Sequence, residues 1–230
     1  MGIKTIQRIT GAAACAGAGC TLIVLPLYFV HPGPPPDANV LTRCLLGLIG
    51  ATLFVVFMSG FAHIVRQRDP ERAWFGSLAA TAGTAWLTVA LVSTGLEVGA
   101  VIAAPEPIDP TITVSGTYVL YGTVSRLLEG LFLVAFAVAA TRLFPRWCVA
   151  VSGIHAAVNF AFVPSLYFGN TPAEFYAANG WGTTATVGGL TTLWFFAIGI
   201  ALIRSTDADR EGSSVRVGGG GHPAGIDRGE

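Results

Sequence analysis

Arg126 and Glu129 are the two residues of this sequence whose type and position most suggest chemistry. Both lie near the middle of a long apolar stretch, and they are three positions apart. At 1.5 Å per helical residue they would lie roughly 14 and 18 Å from the start of that stretch, near the middle of a bilayer. An ionisable side chain at that depth costs several kcal/mol, so each needs a partner. Residues three apart share a helix face, and we expect a buried ion pair, either structural or serving as a binding or ion-coupling site.

Glu97, Tyr118 and Tyr121 could extend this pair into a larger cluster. Glu97 lies near the end of one apolar stretch, and the two tyrosines lie near the start of the next. An arginine has five hydrogen-bond donors, more than one carboxylate can accept. We therefore expect Arg126, Glu129 and Glu97 to form one polar cluster in the bundle interior. The alternative is that Glu97 is an ordinary residue of the membrane interface.

His155 and Asn159 are four positions apart in another apolar stretch, with Ser152 three residues before His155. Polar residues at this spacing usually form hydrogen bonds to a neighbouring helix. His63 lies near the inner end of a different stretch, and two histidines on different helices can ligate haem. Their depths differ by roughly 8 Å, so we predict no haem or other cofactor. No metal site is predicted either, because the cysteines lack metal-ligand spacing and are read as small packing residues: Cys15, Cys20, Cys44 and Cys148.

The composition places these residues in a membrane. Hydrophobic residues make up 53% of the 230 residues, and charged residues only 11%, against about 25% charged in soluble domains. The formal net charge is zero, so charge does not indicate a nucleic-acid partner. Arginine far outnumbers lysine, and alanine, glycine and valine are abundant, which is typical of a GC-rich bacterial genome.

Six stretches are long enough to cross a bilayer, which needs roughly 20 apolar residues in a helix. The predicted fold is an all-α bundle of six transmembrane helices within residues 1–204. A polar tail at 205–230 cannot bury a core, and we predict that it is a disordered cytoplasmic segment. The stretches are 9–30, 41–65, 73–103, 117–143, 147–168 and 184–203.

The basic residues predict the orientation. They collect at alternate ends of the stretches, and the opposite loops carry mainly acidic residues, with Arg43 as the exception. Cytoplasmic loops are enriched in Lys and Arg, so both termini should be cytoplasmic and the protein should lie in the plasma membrane. The cytoplasmic set is Lys4, Arg8, Arg66, Arg68, Arg72, Arg142, Arg146 and Arg204.

Two local patterns predict finer structure. Thr171-Pro-Ala-Glu174 matches a capping box with proline at the first helical position, so residues 171–179 should form a short helix on the outer surface, as an interfacial anchor or a lid. Gly11, Cys15 and Gly19 recur every four residues, and small residues at this spacing let helices approach closely.

Arg8-Ile-Thr-Gly11, which opens the first stretch, and Arg126-Leu-Leu-Glu129 carry a resemblance. The sequence resembles a group of uncharacterised multi-spanning bacterial proteins known only as domains of unknown function. The resemblance implies six or seven helices and supplies no catalytic residues.

Three functions remain open. The absence of catalytic motifs and the short loops favour a non-catalytic membrane protein, either an accessory subunit of other membrane proteins or a binder of small ligands or lipids. Arg126 and Glu129 favour a small secondary transporter or ion-coupled channel, although no stretch shows the internal Pro-Gly break expected at a transport site. An intramembrane enzyme or haem protein would have to use His63, His155 and the carboxylates.

Overall fold

The computed structural model describes residues 2–28, 30, 33–114 and 116–218, with side chains as far as Ser205. Six helical spans in this part of the chain are long and apolar enough to cross a membrane, as predicted. The described residues contain no β-strand. The six spans, called first to sixth below, are Ile3–Leu27, Asp37–Arg68, Pro70–Ala103, Thr117–Ala140, Arg146–Phe168 and Gly182–Ser205.

Long α-helices form most of each span, and shorter elements join or extend them. The long helices are Ile3–Leu27, Asp37–Arg68, Ala73–Ala103, Ser125–Ala140, Arg146–Phe162 and Val187–Gly218. Short helical turns lie at Pro110–Thr113 and Thr117–Val119, 3₁₀ turns at Pro70–Arg72 and Val163–Phe168, and π-helical turns at Leu120–Val124 and Gly182–Thr186.

The spans pack in a ring that follows the chain. Each span contacts the next one in sequence, and the sixth packs back against the first. Small residues make that closing contact possible: a Cβ atom on Gly11 would lie 2.7 Å from the carbonyl oxygen of Gly199. The prediction of close packing at Gly11 is confirmed, whereas a Cβ on Gly19 would meet nothing within 4 Å.

Aromatic side chains fill the centre of the ring. They come from the second, third, fourth and sixth spans and stack on one another, with Phe54 and Phe195 only 3.9 Å apart between ring centroids. Aromatic pairs of this kind add about 0.5–1.5 kcal/mol each beyond their buried area. The set comprises Phe54, Phe57, Phe61, Trp86, Phe132, Phe136, Trp194 and Phe195.

Charged residues connect the turns on the side of the membrane called inner here, where Arg66–Arg72 lies. Arg72 bonds Asp69 at 2.9 Å, and Arg142 bonds Glu71 at 2.7 Å. The Glu71 carboxylate raises the pKa of the exposed Arg142 guanidinium. These contacts tie the second–third turn to the fourth–fifth turn outside the apolar layer.

The opposite, outer ends of three spans are irregular, which the sequence analysis did not predict. Gly122 interrupts the fourth span with a non-helical ψ of −109°. The fifth span ends in a 3₁₀ turn that contains Pro164, and the sixth begins with a π-helical turn. Helix breaks of this type are frequent at functional sites.

The predicted helix at 171–179 is wrong. The segment is a series of turns, in which the Glu174 amide donates to the Thr171 carbonyl over a single turn. Its other backbone hydrogen bonds are irregular, because Ala177 and Ala178 are buried and the chain follows the outer ends of the spans. For example, the Ala178 amide donates to the Gly169 carbonyl at 3.0 Å.

The sixth-span helix is longer than predicted and continues to Gly218. The first part of the predicted polar tail therefore has a helical backbone. Its sequence includes good helix formers such as Ala208, Arg210 and Glu211, which favour continuation of a helix beyond the apolar stretch. Residues 219–230 lie outside the described residues, so disorder there stays a prediction.

Candidate functional site

The predicted ion pair in the fourth span is present and buried. Nη1 of Arg126 lies 3.0 Å from Oε2 of Glu129, and the two side chains are 7% and 0% exposed. The neighbouring Gly130 lets the fifth span approach closely, since a Cβ on Gly130 would lie 2.8 Å from the ring of Phe160. The pair thus lies at a tight helix–helix contact.

His155 and Thr191 bring two further spans to Glu129. Nε2 of His155 lies 3.2 Å from Oε1 of Glu129 and 3.1 Å from the Thr191 hydroxyl. That hydroxyl donates to the same carboxylate oxygen and is also 2.8 Å from the Val187 carbonyl. One carboxylate therefore joins the fourth, fifth and sixth spans, and we call Arg126, Glu129, His155 and Thr191 the buried network.

Ser152 and Asn159 lie one turn on either side of His155. Nε1 of Trp194 donates to the Ser152 hydroxyl at 2.8 Å, and the Asn159 amide donates to the His155 carbonyl at 3.1 Å. The prediction that polar residues of the fifth span bond neighbouring helices is confirmed for His155 and Ser152. Asn159 bonds within its own helix.

Several buried polar atoms in and beside the network have no hydrogen-bond partner among the described residues. Nη1 of Arg126 and Oε2 of Glu129 are close enough to attract each other, but their angles do not form a hydrogen bond. Buried polar groups are nearly always bonded to protein or to an ordered molecule, so this set has hydrogen-bonding capacity that a small polar guest would satisfy. The atoms are Arg126 Nε and Nη1, Glu129 Oε2, Ser125 Oγ and Asn159 Oδ1.

Residues 169–181 lie on the outer side of the network. A Cβ on Gly122 would come within 2.4 Å of the Ala178 carbonyl oxygen. The segment therefore contacts the fourth span at the position of its break. Thr123 next to the break donates to the Val163 carbonyl at 3.1 Å, and the Tyr176 hydroxyl donates to the Ala161 carbonyl. The Thr123 bond joins the outer ends of the fourth and fifth spans, and the Tyr176 bond holds the outer segment against the fifth span.

Aromatic rings close the inner side. The rings of Trp194 and Phe132 lie 5.4 Å apart, and those of Trp194 and Phe136 4.8 Å apart. Phe132 and Phe136 follow Glu129 by one and two turns toward the inner end of the fourth span. The network is thus bounded by packed rings on one side and by residues 169–181 on the other.

The prediction that Glu97 joins Arg126 and Glu129 is wrong. Glu97 is buried in the outer half of the third span, and the charges that act on it are Arg43 and Asp109. Arg43 in turn lies under the ring of Tyr28, 4.0 Å from its centroid. The reason is geometric, since the charged groups around Glu97 come from the second span and from the loop after the third span, and Arg126 is not among them.

The two tyrosines also lie apart from the network. The Tyr121 hydroxyl is 2.8 Å from the Thr94 hydroxyl, so it joins the third and fourth spans at the level of the Glu97 group. Tyr118 is half-buried on the turn that begins the fourth span. Neither bonds Arg126 among the described contacts.

The two histidines considered for haem are in unrelated places. His155 belongs to the buried network, whereas His63 lines a groove between the second and third spans. They do not face each other, so this pair does not form a bis-histidine site. No group of three or more His, Cys, Asp or Glu side chains in the described residues could hold a metal ion.

Four residues of these clusters were not predicted from the sequence to take part in them. Thr191 and Trp194 looked like ordinary residues of an apolar helix, although the Thr191–Thr192 pair is a polar signal in the sixth span. Arg43 was noted only as the basic exception near the outer loops, although it lies within the 41–65 stretch. Gly122 lacked the neighbouring proline that would have marked a break.

Comparison with protein-family models, with curated proteins and with solved structures found no match for this chain. The resemblance carried by the first span and by Arg126-Leu-Leu-Glu129 therefore stays a prediction.

Proposed function

We propose that this chain is a non-catalytic, multi-pass protein of the cytoplasmic membrane that binds a small anion together with one proton in the buried network. The observation that carries the proposal is the pair of Arg126 nitrogens without hydrogen-bond partners, in a side chain only 7% exposed. Nη1 is ion-paired with Glu129, but a buried guanidinium with unmade hydrogen bonds at Nε and Nη1 still favours an anion as its guest.

The charge balance of the network explains why a proton should accompany that anion. With His155 neutral, the charges of Arg126 and Glu129 cancel. An anion alone would leave one uncompensated negative charge in a buried site, and a proton alone would leave one positive charge; either costs several kcal/mol. An anion on Arg126 and a proton on His155 together restore a net charge of zero.

The surroundings support access from the outer side. The packed rings of Phe132, Phe136 and Trp194 close the inner side. Residues 169–181 cover the outer side, and they bond to the fifth span through the Tyr176 hydroxyl and to the sixth span through the carbonyls of Phe175 and Ala177. A segment of turns can open at lower cost than a packed helix.

Proton uptake on anion binding tests the proposal. Chloride, nitrate or acetate is added to the purified, unbuffered protein at neutral pH. The protein should take up as much as one proton per chain, and the pH of the solution should rise accordingly. His155→Gln should abolish this uptake, and so should the paired variant Arg126→Met with Glu129→Leu, while elution volume and helicity stay unchanged. Absence of uptake with all three anions, or equal uptake in the variants, would refute the proposal.

A second candidate function is proton-coupled anion transport. The specific observation that favours it is the interruption of the fourth span at Gly122, one turn outward from Arg126. Discontinuous spans at a buried site are typical of secondary transporters. Liposomes holding a pH dye should then acidify inside when an inward anion gradient is applied, and His155→Gln should stop the flux. If neither binding nor flux is found, an accessory subunit of other membrane proteins is the remaining prediction.

The orientation is part of the proposal. Basic residues lie at the turns of the inner side, and this asymmetry supports cytoplasmic termini in the plasma membrane. Reporter fusions after Arg72, Arg146 and Arg204 should be cytoplasmic. Fusions after Pro36, Asp109 and Asn179 should be external, and a mixed pattern would contradict the six-span topology.

A further inference from the structure

A polar groove lies on the lipid-facing side of the second and third spans, near their inner ends. Its volume is about 370 Å³, and its polar lining consists of two residues with basic side chains and three with hydroxyls. It is separate from the buried network, which the fourth, fifth and sixth spans form. The polar residues are Ser59, His63, Arg66, Ser77 and Thr81.

Small residues make the groove. Ala62 of the second span and Ala80 of the third form its floor, so the two helices leave a depression on the side that faces lipid. On the opposite side of the same helix pair, a Cβ on Gly76 would be 2.8 Å from Val65. The helices are therefore close together, and the groove is a shallow cleft that opens sideways into the bilayer.

The hydroxyls in the groove lack the usual helical bond. Four threonines of the second and third spans donate to the carbonyl four residues earlier, and Thr52 and Thr88 do so at 2.8 Å. Among the described contacts, the hydroxyls of Ser59, Ser77 and Thr81 form no such bond. Polar groups in an apolar layer need a hydrogen-bond partner. Since the described residues do not supply one, the partner must be a molecule that enters the groove from the bilayer.

The basic side chains of the groove also have no acidic partner among the described residues. Arg66 is exposed and His63 is half-buried, and neither forms an ion pair among the described residues. The nearest acidic residues along the chain have other partners: Asp69 pairs with Arg72, and Glu71 pairs with Arg142. The inner end of the groove therefore keeps its positive charge.

We infer that this groove binds one anionic glycerophospholipid of the leaflet beside the Arg66–Arg72 turn. Arg66 and His63 donate to the phosphate at headgroup level. Ser77 lies about 6 Å deeper, four residues from Ala73 at 1.5 Å per residue, which is within the interfacial layer that holds the ester oxygens of a lipid. Ser59 and Thr81 lie deeper still, beside the first part of the acyl chains. Basic pockets between spans on the cytoplasmic side favour anionic headgroups.

Lipid retention by the purified, full-length protein tests the inference. Protein in mild detergent is mixed with phosphatidylglycerol or phosphatidylcholine of equal chain length, and bound lipid is counted by native mass spectrometry. Wild type should retain one phosphatidylglycerol in preference to phosphatidylcholine. Arg66→Gln should weaken that retention about fivefold, the value of one basic residue near an anionic surface.

Two further variants separate this site from general attraction and from misfolding. Arg146→Gln removes an exposed charge on the same side of the membrane but outside the groove, and it should leave retention unchanged. Ala80→Leu fills the cleft without changing charge, and it should reduce retention of both lipids while the elution volume stays normal. Equal loss in Arg66→Gln and Arg146→Gln, no preference in wild type, or full retention in Ala80→Leu would each overturn the inference.

Discussion

Nε2 of His155 lies 3.2 Å from Oε1 of Glu129, and this contact joins two helices through the one carboxylate that also faces Arg126. The carboxylate is fully buried. Its charge is therefore balanced by side chains and not by water. A change in the charge of His155 or Arg126 therefore changes the electrostatic energy of Glu129.

Removal of Arg126 alone should destabilise the protein. Arg126→Ala leaves the Glu129 carboxylate buried and without its cation, and breaking a buried pair in this way costs about 3–5 kcal/mol. Replacing both residues, with Arg126→Met and Glu129→Leu, should recover most of the loss, because similar apolar residues remove both charges. Thermal unfolding of the purified variants in detergent measures the difference. A paired variant as unstable as the single one would contradict this account.

The hydroxyl of Thr191 should contribute more to the free energy of unfolding than the hydroxyl of its neighbour Thr192. Thr191→Val removes the hydroxyl that donates to Glu129, and losing one hydrogen bond to a buried charged group costs about 1.5–3 kcal/mol. Thr192→Val is the matched control, because that hydroxyl donates only to the Gly188 carbonyl of its own helix. Unfolding midpoints of the two variants should differ by several degrees. Equal midpoints would show that the bond to Glu129 is not formed.

Replacing two glycines of the first helix by alanine should have different effects on the stability of the protein. Gly11→Ala places a methyl group 2.7 Å from the Gly199 carbonyl oxygen, so the first and sixth spans must separate; overpacking of this kind costs about 1–3 kcal/mol. Gly19→Ala meets nothing within 4 Å and should be neutral or stabilising by up to about 1 kcal/mol. Unfolding in detergent distinguishes them, and a stable Gly11→Ala variant would argue against the ring closure.

The sequence predicted the elements with the strongest physical signal. Six spans follow from hydropathy alone, and the bounds of the third helix, Ala73–Ala103, agree with the prediction. The pair of Arg126 and Glu129 was also predictable, because two buried charges three residues apart must meet. Such features depend on local spacing and on the cost of burying charge.

Features that depend on which helices are neighbours could not be predicted. Glu97 was assigned to Arg126, but the packing order places it beside Arg43. The capping-box pattern at Thr171 was overridden, because burial of Ala177 and Ala178 favours a chain of turns over a surface helix. The kink at Gly122 depends on its contact with Ala178, a residue far away in sequence.

The pH dependence of anion affinity tests the central claim most directly. If one proton accompanies each anion, the dissociation constant for chloride should rise about tenfold for each unit of pH increase over the range in which the anion-free site is unprotonated. Calorimetric titration of the purified wild-type protein at several pH values measures this slope, with His155→Gln as the control that should lose it. A dissociation constant that stays the same across pH in the wild-type protein would contradict the account.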